Sequence, residues 1–233
     1  MKRKKTNDVV PAILEKNFSK IEEKIKKVNN LTKNVQVDIC DGKFVKSKTF
    51  ASAGCEESFL RLRKISKNTN LELDVMVNLD MKIKGRFEKW LNSISKAKPA
   101  RVIFHLDSTK RWDEVFDFFK KKENKNIKIG LGIKIQNKQK EINKLLQKYK
   151  FDYVQFMGIE KIGFGGQKIS PKVYTKIKNF VKKYPQMYIQ VDGGVKIENA
   201  SKLKKAGVCS FAAGSGIYKS ENIKKRISEF KKV

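Results

Sequence analysis

Residues 187–195 read MYIQVDGGV, a short apolar run closed by an aspartate, Asp192, and then by a glycine pair, Gly193-Gly194. Four to eight apolar and β-branched residues bounded by turn signals read as a strand buried on both faces. Seven further runs have the same form, at 9–14, 35–39, 71–77, 102–106, 127–133, 153–157 and 209–213. Between them the apolar residues fall three and four apart, the period of an amphipathic helix. Phe18, Ile21, Ile25 and Val28 share one such face; Phe87, Trp90, Leu91 and Ile94 share another. Val115, Phe118 and Phe119 continue the series, followed by Ile142, Leu145 and Leu146, then Val173, Ile177, Phe180 and Val181. Leu203 and Ala206, then Ile223, Ile227 and Phe230, complete it. The helix around Phe59 and Leu62 carries the weakest pattern and follows a long loop, 41–54.

Alternating strands and helices with right-handed connections give either a closed barrel or an open doubly wound sheet. The polar residues favour the barrel. Asp38, Asp74, His105, Gln155 and Asp192 interrupt their runs at or near the C-terminal ends. In a closed barrel those ends meet on one rim, where sites of this architecture are built; in an open sheet they would be strung along a line. The chain is therefore expected to be one α/β domain, a (β/α)8 TIM barrel spanning residues 1–233. The second composition regime or linker that would mark another domain is missing from its 233 residues.

Composition bounds the partners. With 54 Lys+Arg against 24 Asp+Glu the formal charge is +30, enough to attract any polyanion. The lysines sit on every helix face, as at Lys24, Lys26 and Lys27 or Lys120 to Lys122, and not in one stripe interleaved with aromatics. That distribution reads as solvated helix surface, so no specific nucleic-acid partner is expected. After the basic start from Met1 to Lys5, the apolar stretch at 9–14 is too short for a signal-peptide core or a membrane span. Cys40, Cys55 and Cys209 show no CxxC spacing. Neither a disulfide framework nor a zinc ribbon follows, and a cytoplasmic protein without membrane contact is expected.

Three small-residue turns point to an anion. Residues 162–167 read IGFGGQ directly after the sixth strand; Gly193-Gly194 follows the seventh and Gly214-Ser215 the eighth. Glycines let backbone N–H groups approach an anion with no Cβ in the way. The loops after the last strands of such barrels are a usual phosphate position.

At these residues the chain resembles the ribulose-phosphate 3-epimerase family. The likeness rests on VQVDICDGKFV at 35–45, LDVMV at 73–77, MGIEKIGFGGQ at 157–167, IQVDGGV at 189–195 and FAAGSGIY at 211–218, in that order. The resemblance implies a TIM barrel of the ribulose-phosphate-binding type. It implies Asp38 and Asp192 as catalytic acid and base, and a substrate and phosphate site at Met157, Gly163, Phe164, Gly165, Gly166, Gly193, Gly194, Gly214 and Ser215. Two carboxylates suit epimerisation beside a ketone: one removes a carbon-bound proton from one face, the other returns a proton to the opposite face, and the roles exchange in reverse. A small phosphosugar is the partner implied, and the resemblance leaves room for a homo-oligomer.

The family's metal site, two histidines and two aspartates, is altered in this sequence. Its histidine positions hold Gln36 and Asp74, and the chain's single histidine, His105, falls outside that set and reads as a hydrogen-bonded residue of the barrel mouth. Ala12 stands where the family has serine, and Cys40 where it has methionine. Two readings follow. Gln36, Asp38, Asp74 and Asp192 form an all-oxygen set for a divalent metal, magnesium or manganese in preference to zinc. Alternatively no metal binds, and the barrel is a non-catalytic or altered-specificity phosphosugar binder. Without a cation, at least one of the three aspartates must be protonated near neutral pH.

Overall fold

The computed structural model describes residues 8–233, and the basic start from Met1 to Lys5 lies outside the described residues. The strands are β1 Asp8–Ile13, β2 Asn34–Cys40, β3 Asn70–Met76, β4 Arg101–His105, β5 Lys128–Ile133, β6 Tyr153–Met157, β7 Ile189–Asp192 and β8 Ser210–Ala213. They pair in parallel, each with its sequence neighbour, and β8 closes on β1. The open-sheet alternative is excluded by that last pairing. Helices α1 Phe18–Val28, α2 Glu56–Ile65, α3 Arg86–Lys96, α4 Trp112–Lys120, α5 Gln139–Lys148, α6 Lys172–Lys183 and α7 Ile197–Ala206 cross between strands. A single turn, α8 Ser215–Tyr218, and α9 Ile223–Lys232 follow β8. This is a (β/α)8 barrel.

Strand parity separates two kinds of packing. The outward residues of β2 are Val35, Val37 and Ile39, those of β3 Leu71, Leu73 and Val75, and those of β7 Ile189 and Val191; all belong to the apolar layer beneath the helices. In α4 the buried residues are Trp112, Val115, Phe116 and Phe119, whereas Phe118, expected on that face, is only partly buried. The two faces differ because Phe116 stacks on Tyr149 and meets Phe151 edge-on, contacts that helical period alone does not reveal.

Apart from an apolar cluster of Val10, Ala12 and Ala212, the inward face carries many polar side chains, where barrels of this kind are usually filled with branched apolar ones. Register sets Gln36 beside Glu72, Asp38 beside Asp74, Gln155 beside Gln190 and Gln190 beside Ser210. Strand β5 makes room for its neighbours with glycine. A Cβ at Gly130 would lie 2.5 Å from the Tyr153 ring, and one at Gly132 would lie 2.9 Å from His105 Nδ1. A strand glycine there is a gap for an adjacent large side chain.

Basic residues close several helices, Lys26 and Lys27 in α1, Lys182 and Lys183 in α6, Lys204 and Lys205 in α7, Lys231 and Lys232 in α9. Cations there complement the negative end of the helix dipole, which gives part of the +30 charge a local structural use. Among the described residues, no helix is long and apolar enough to cross a membrane.

Candidate active site at the barrel mouth

Asp38 at the end of β2 and Asp192 at the end of β7 face one cavity at the C-terminal rim. Its wall also contains Met157, Gly163, Phe164, Gly165, Gly166, Gly193, Gly194, Gly214 and Ser215, so every residue expected to hold substrate or phosphate lines the same space as the two carboxylates. The glycine end is backbone-made. Gly166 has φ +82° and Gly194 has φ +71°, conformations that favour glycine. A Cβ at Gly194 would lie 2.6 Å from the Ile169 nitrogen, whereas Gly165 and Gly166 have only open space at that position.

The loop at 41–54 is pinned across the rim. The Asp41 carboxylate accepts from the backbone N–H groups of Lys43 and Phe44, both at 2.8 Å, from that of Asn78 at 3.0 Å, and from the Arg86 guanidinium at 2.8 Å. Held this way, the loop sends Val45 into an apolar cluster with Cys40, Met76, Met157, Ile159 and Ile162. Phe44 tilts against His105 at 5.4 Å between ring centroids. A Cβ at Gly163 would meet Ser47 Oγ at 2.6 Å, so this loop touches the glycine loop after β6.

Below the cavity the carboxylates are tied into a buried network. Oxygens of Asp38, Asp74 and Asp192 lie within 4.8 Å of one another, and all three residues are buried. Gln36 Nε2 donates to Asp38 Oδ1 at 2.9 Å and to Asp192 Oδ2 at 3.0 Å. Asp74 is held at both oxygens, by His105 Nε2 and by Gln155 Nε2, each at 2.9 Å. His105 is thus the hydrogen-bonded histidine its position implied. A lower layer supports these groups: Gln190 donates to Glu72, to Gln155 Oε1 at 2.8 Å and to Gln36 Oε1 at 3.3 Å, and accepts from Ser210 Oγ at 2.8 Å. Glu72 is in turn paired with Arg101 at 3.2 Å. Sequence reasoning singled out the upper layer and missed Glu72, Gln190 and Ser210. Their signal was parity, since Gln36/Asp38, Glu72/Asp74 and Gln190/Asp192 are each two residues apart and so share a face.

The electrostatics follow from burial. Loss of water, then the neighbouring Asp192 and Asp74 carboxylates, push Asp38 well above the ordinary carboxylate range, against the lowering bond from Gln36. Burial and Asp74 push Asp192 up to about 7, opposed by the Gln36 amide and the Gly193 N–H. Both carboxyls therefore hold their protons to higher pH than free carboxylates do. Cys40 beside them is kept a thiol, because burial and the Asp38 charge raise it.

The three carboxylates are also a donor set for a cation. They converge, they are buried, and their mutual repulsion would be relieved by positive charge. Gln36, the fourth candidate ligand, turns its nitrogen and not its oxygen towards them.

A ribulose-phosphate 3-epimerase from Helicobacter pylori is 27% identical over 229 residues, covering 97% of each chain. One from Buchnera aphidicola subsp. Acyrthosiphon pisum is 25% identical over 229 residues, covering 96% of this chain and 93% of the relative. Among solved structures, 3-hexulose-6-phosphate synthase from Salmonella typhimurium superposes with a TM-score of 0.70 at 12% identity, covering 97% of both chains. KGPDC from Streptococcus mutans gives 0.70 at 13% identity, covering 97% of this chain and 95% of that one. These two structural likenesses establish the fold. The model of the ribulose-phosphate 3-epimerase family matches residues 8–218, nearly the whole barrel, and the chain belongs to that family.

Proposed function

We propose that this protein inverts C3 of a ketose phosphate, with Asp38 and Asp192 passing protons to and from opposite faces of an enediolate. The observation that carries this reading is one cavity with two carboxylates at one end and glycine turns at the other. The glycine turns after β6, β7 and β8 would take the phosphate, on backbone N–H groups and free of Cβ obstruction. That anchoring would bring the sugar carbons over the carboxylates. The ionised aspartate removes the C3 proton while the protonated one delivers to the other face, and the reverse reaction exchanges their roles. Burial holds Asp38 well above the ordinary carboxylate range and Asp192 up to about 7, which supports one carboxyl carrying a proton while the other acts as base.

Asp38, Asp74 and Asp192 would hold a divalent cation beneath the substrate, with Gln36 joining only after a half-turn of its amide. Their all-oxygen character favours magnesium or manganese over zinc. When bound, such an ion supplies positive charge that stabilises enediolate oxygens.

The test is solvent exchange. Incubated with D-ribulose 5-phosphate in deuterium oxide, the protein is expected to incorporate deuterium at C3, followed by NMR with chelator, Mg2+ or Mn2+ present in turn. The loss of both family histidines supports a second reading, a binder without turnover. Calorimetric binding of the same sugar phosphate with no C3 exchange under any of the three conditions would establish it and remove the epimerase.

A further inference from the structure

The two carboxylates that face the cavity are joined underneath by a side chain that stays out of it. Gln36 is fully buried and forms no part of the cavity wall. Its Nε2 carries two protons, and the geometry gives one to Asp38 at 2.9 Å and the other to Asp192 at 3.0 Å. The sense of this amide is set from below. Its Oε1 faces Gln190 Nε2 at 3.3 Å, as the third and longest of the acceptors that share that nitrogen's two protons, with Glu72 and with Gln155 Oε1 at 2.8 Å; Gln190 is itself oriented by Ser210, whose hydroxyl donates to Gln190 Oε1 at 2.8 Å. Turned over, Gln36 would offer the two carboxyls an oxygen that only a protonated one could meet, and would set its nitrogen against the Gln190 amide nitrogen.

We propose that Gln36 is a positioning residue that clamps the acid–base pair through one amide nitrogen, with Gln190 fixing the direction of that amide. The proposal rests on the epimerase reading above and concerns how its two carboxylates are held. A primary amide suits this task chemically. It offers two equivalent N–H donors, and a carboxyl oxygen accepts from it whether or not the other oxygen carries the proton. The clamp therefore persists while Asp38 and Asp192 exchange roles. A carboxylate at position 36 would have no proton to give, and a neutral imidazole would have one. Either replacement would leave an aspartate unsupported.

The full-length protein, labelled with 15N-glutamine, gives a readout independent of turnover. The Gln36 side-chain resonances, identified by their disappearance in Gln36→Leu, are expected to show both amide protons shifted downfield and protected from solvent exchange. Gln190→Leu is expected to return them towards ordinary values. A wild-type Gln36 amide with ordinary, fast-exchanging protons overturns the clamp. In C3 exchange on D-ribulose 5-phosphate, Gln36→Leu is expected to lose about 100-fold in kcat, the scale of an ångström-sized misplacement, with KM nearly unchanged. Gln36→Glu, which keeps the shape and has at most one proton to give where the amide has two, is expected to lose a comparable amount. A folded variant of either kind with wild-type kcat overturns the proposal. A wild type inactive on every ketose phosphate removes the epimerase reading, while the amide resonances still decide the clamp.

Discussion

The two ends of the cavity are built by opposite means. The glycine end is made of backbone from three loops, and its conformations depend on absent side chains, as at Gly166 and Gly194. The carboxylate end is made of side chains from β2, β3, β4, β6, β7 and β8, joined by buried hydrogen bonds that reach down to Glu72, which is ion-paired with Arg101. An anion grip needs N–H groups and space, which a loop of consecutive residues can supply. An acid–base pair needs tuned proton affinity, which only surroundings can supply. On the epimerase reading the glycine turns would supply the first, and the amides of Gln36, Gln155 and Gln190 surround the carboxylates that would supply the second.

The comparison can be broken most directly at the carboxylates. Asp192→Asn keeps the shape of the side chain and removes its proton transfer, so kcat should fall by about 10² to 10⁴, with KM little changed. Steady-state kinetics on the sugar phosphate would check this; a large rise in KM with kcat preserved would place Asp192 in binding instead.

At the glycine end the opposite split is expected. Gly194→Ala puts a Cβ 2.6 Å from the Ile169 nitrogen at φ +71°. The strain should cost about 1–3 kcal/mol of stability. KM should rise with kcat nearly constant, because a phosphate held at these turns would be gripped equally in ground and transition states. Denaturant melts and kinetics on the same variant measure both effects.

A third contrast lies in how stability depends on pH. Asp192 is held up to about 7 in the folded protein, against an ordinary value of 3.8, with burial as the leading cause. Between those values the folded state binds more protons than the unfolded state, so this residue's contribution to stability is fullest below the lower value and is lost as pH rises through the upper. Denaturant midpoints in chelator should therefore decline more steeply from about pH 4 to 7 in the wild type than in Asp192→Asn. Equal slopes would mean that the burial of this carboxyl has no thermodynamic consequence.

Much of this was legible in order along the chain. All eight strands lie within a residue or two of the apolar runs, because a parallel strand buried on both faces has to be apolar on its outward side and must end at a turn. The glycine turns were equally readable, since consecutive residues write them. The lower polar layer was harder to see. Gln190, Glu72 and Ser210 looked like isolated polar residues in apolar runs, and what makes them a unit is the register between strands that are neighbours only in the closed barrel. The pinning of the loop at 41–54 was hidden for the same reason, as Asp41 and Arg86 are 45 residues apart.

Residue order alone determined which side chains exist to do chemistry, two aspartates at strand ends and three glycine-bearing turns, and it determined that each strand alternates an outward apolar residue with an inward one. Tertiary structure decided how the inward set is wired: that Gln36 presents nitrogen and not oxygen to Asp38 and Asp192, and that Asp74 is engaged by His105 and Gln155. The physical reason is that a hydrogen bond has direction. The direction of an amide is fixed by partners on other strands, which come within reach only when the barrel closes.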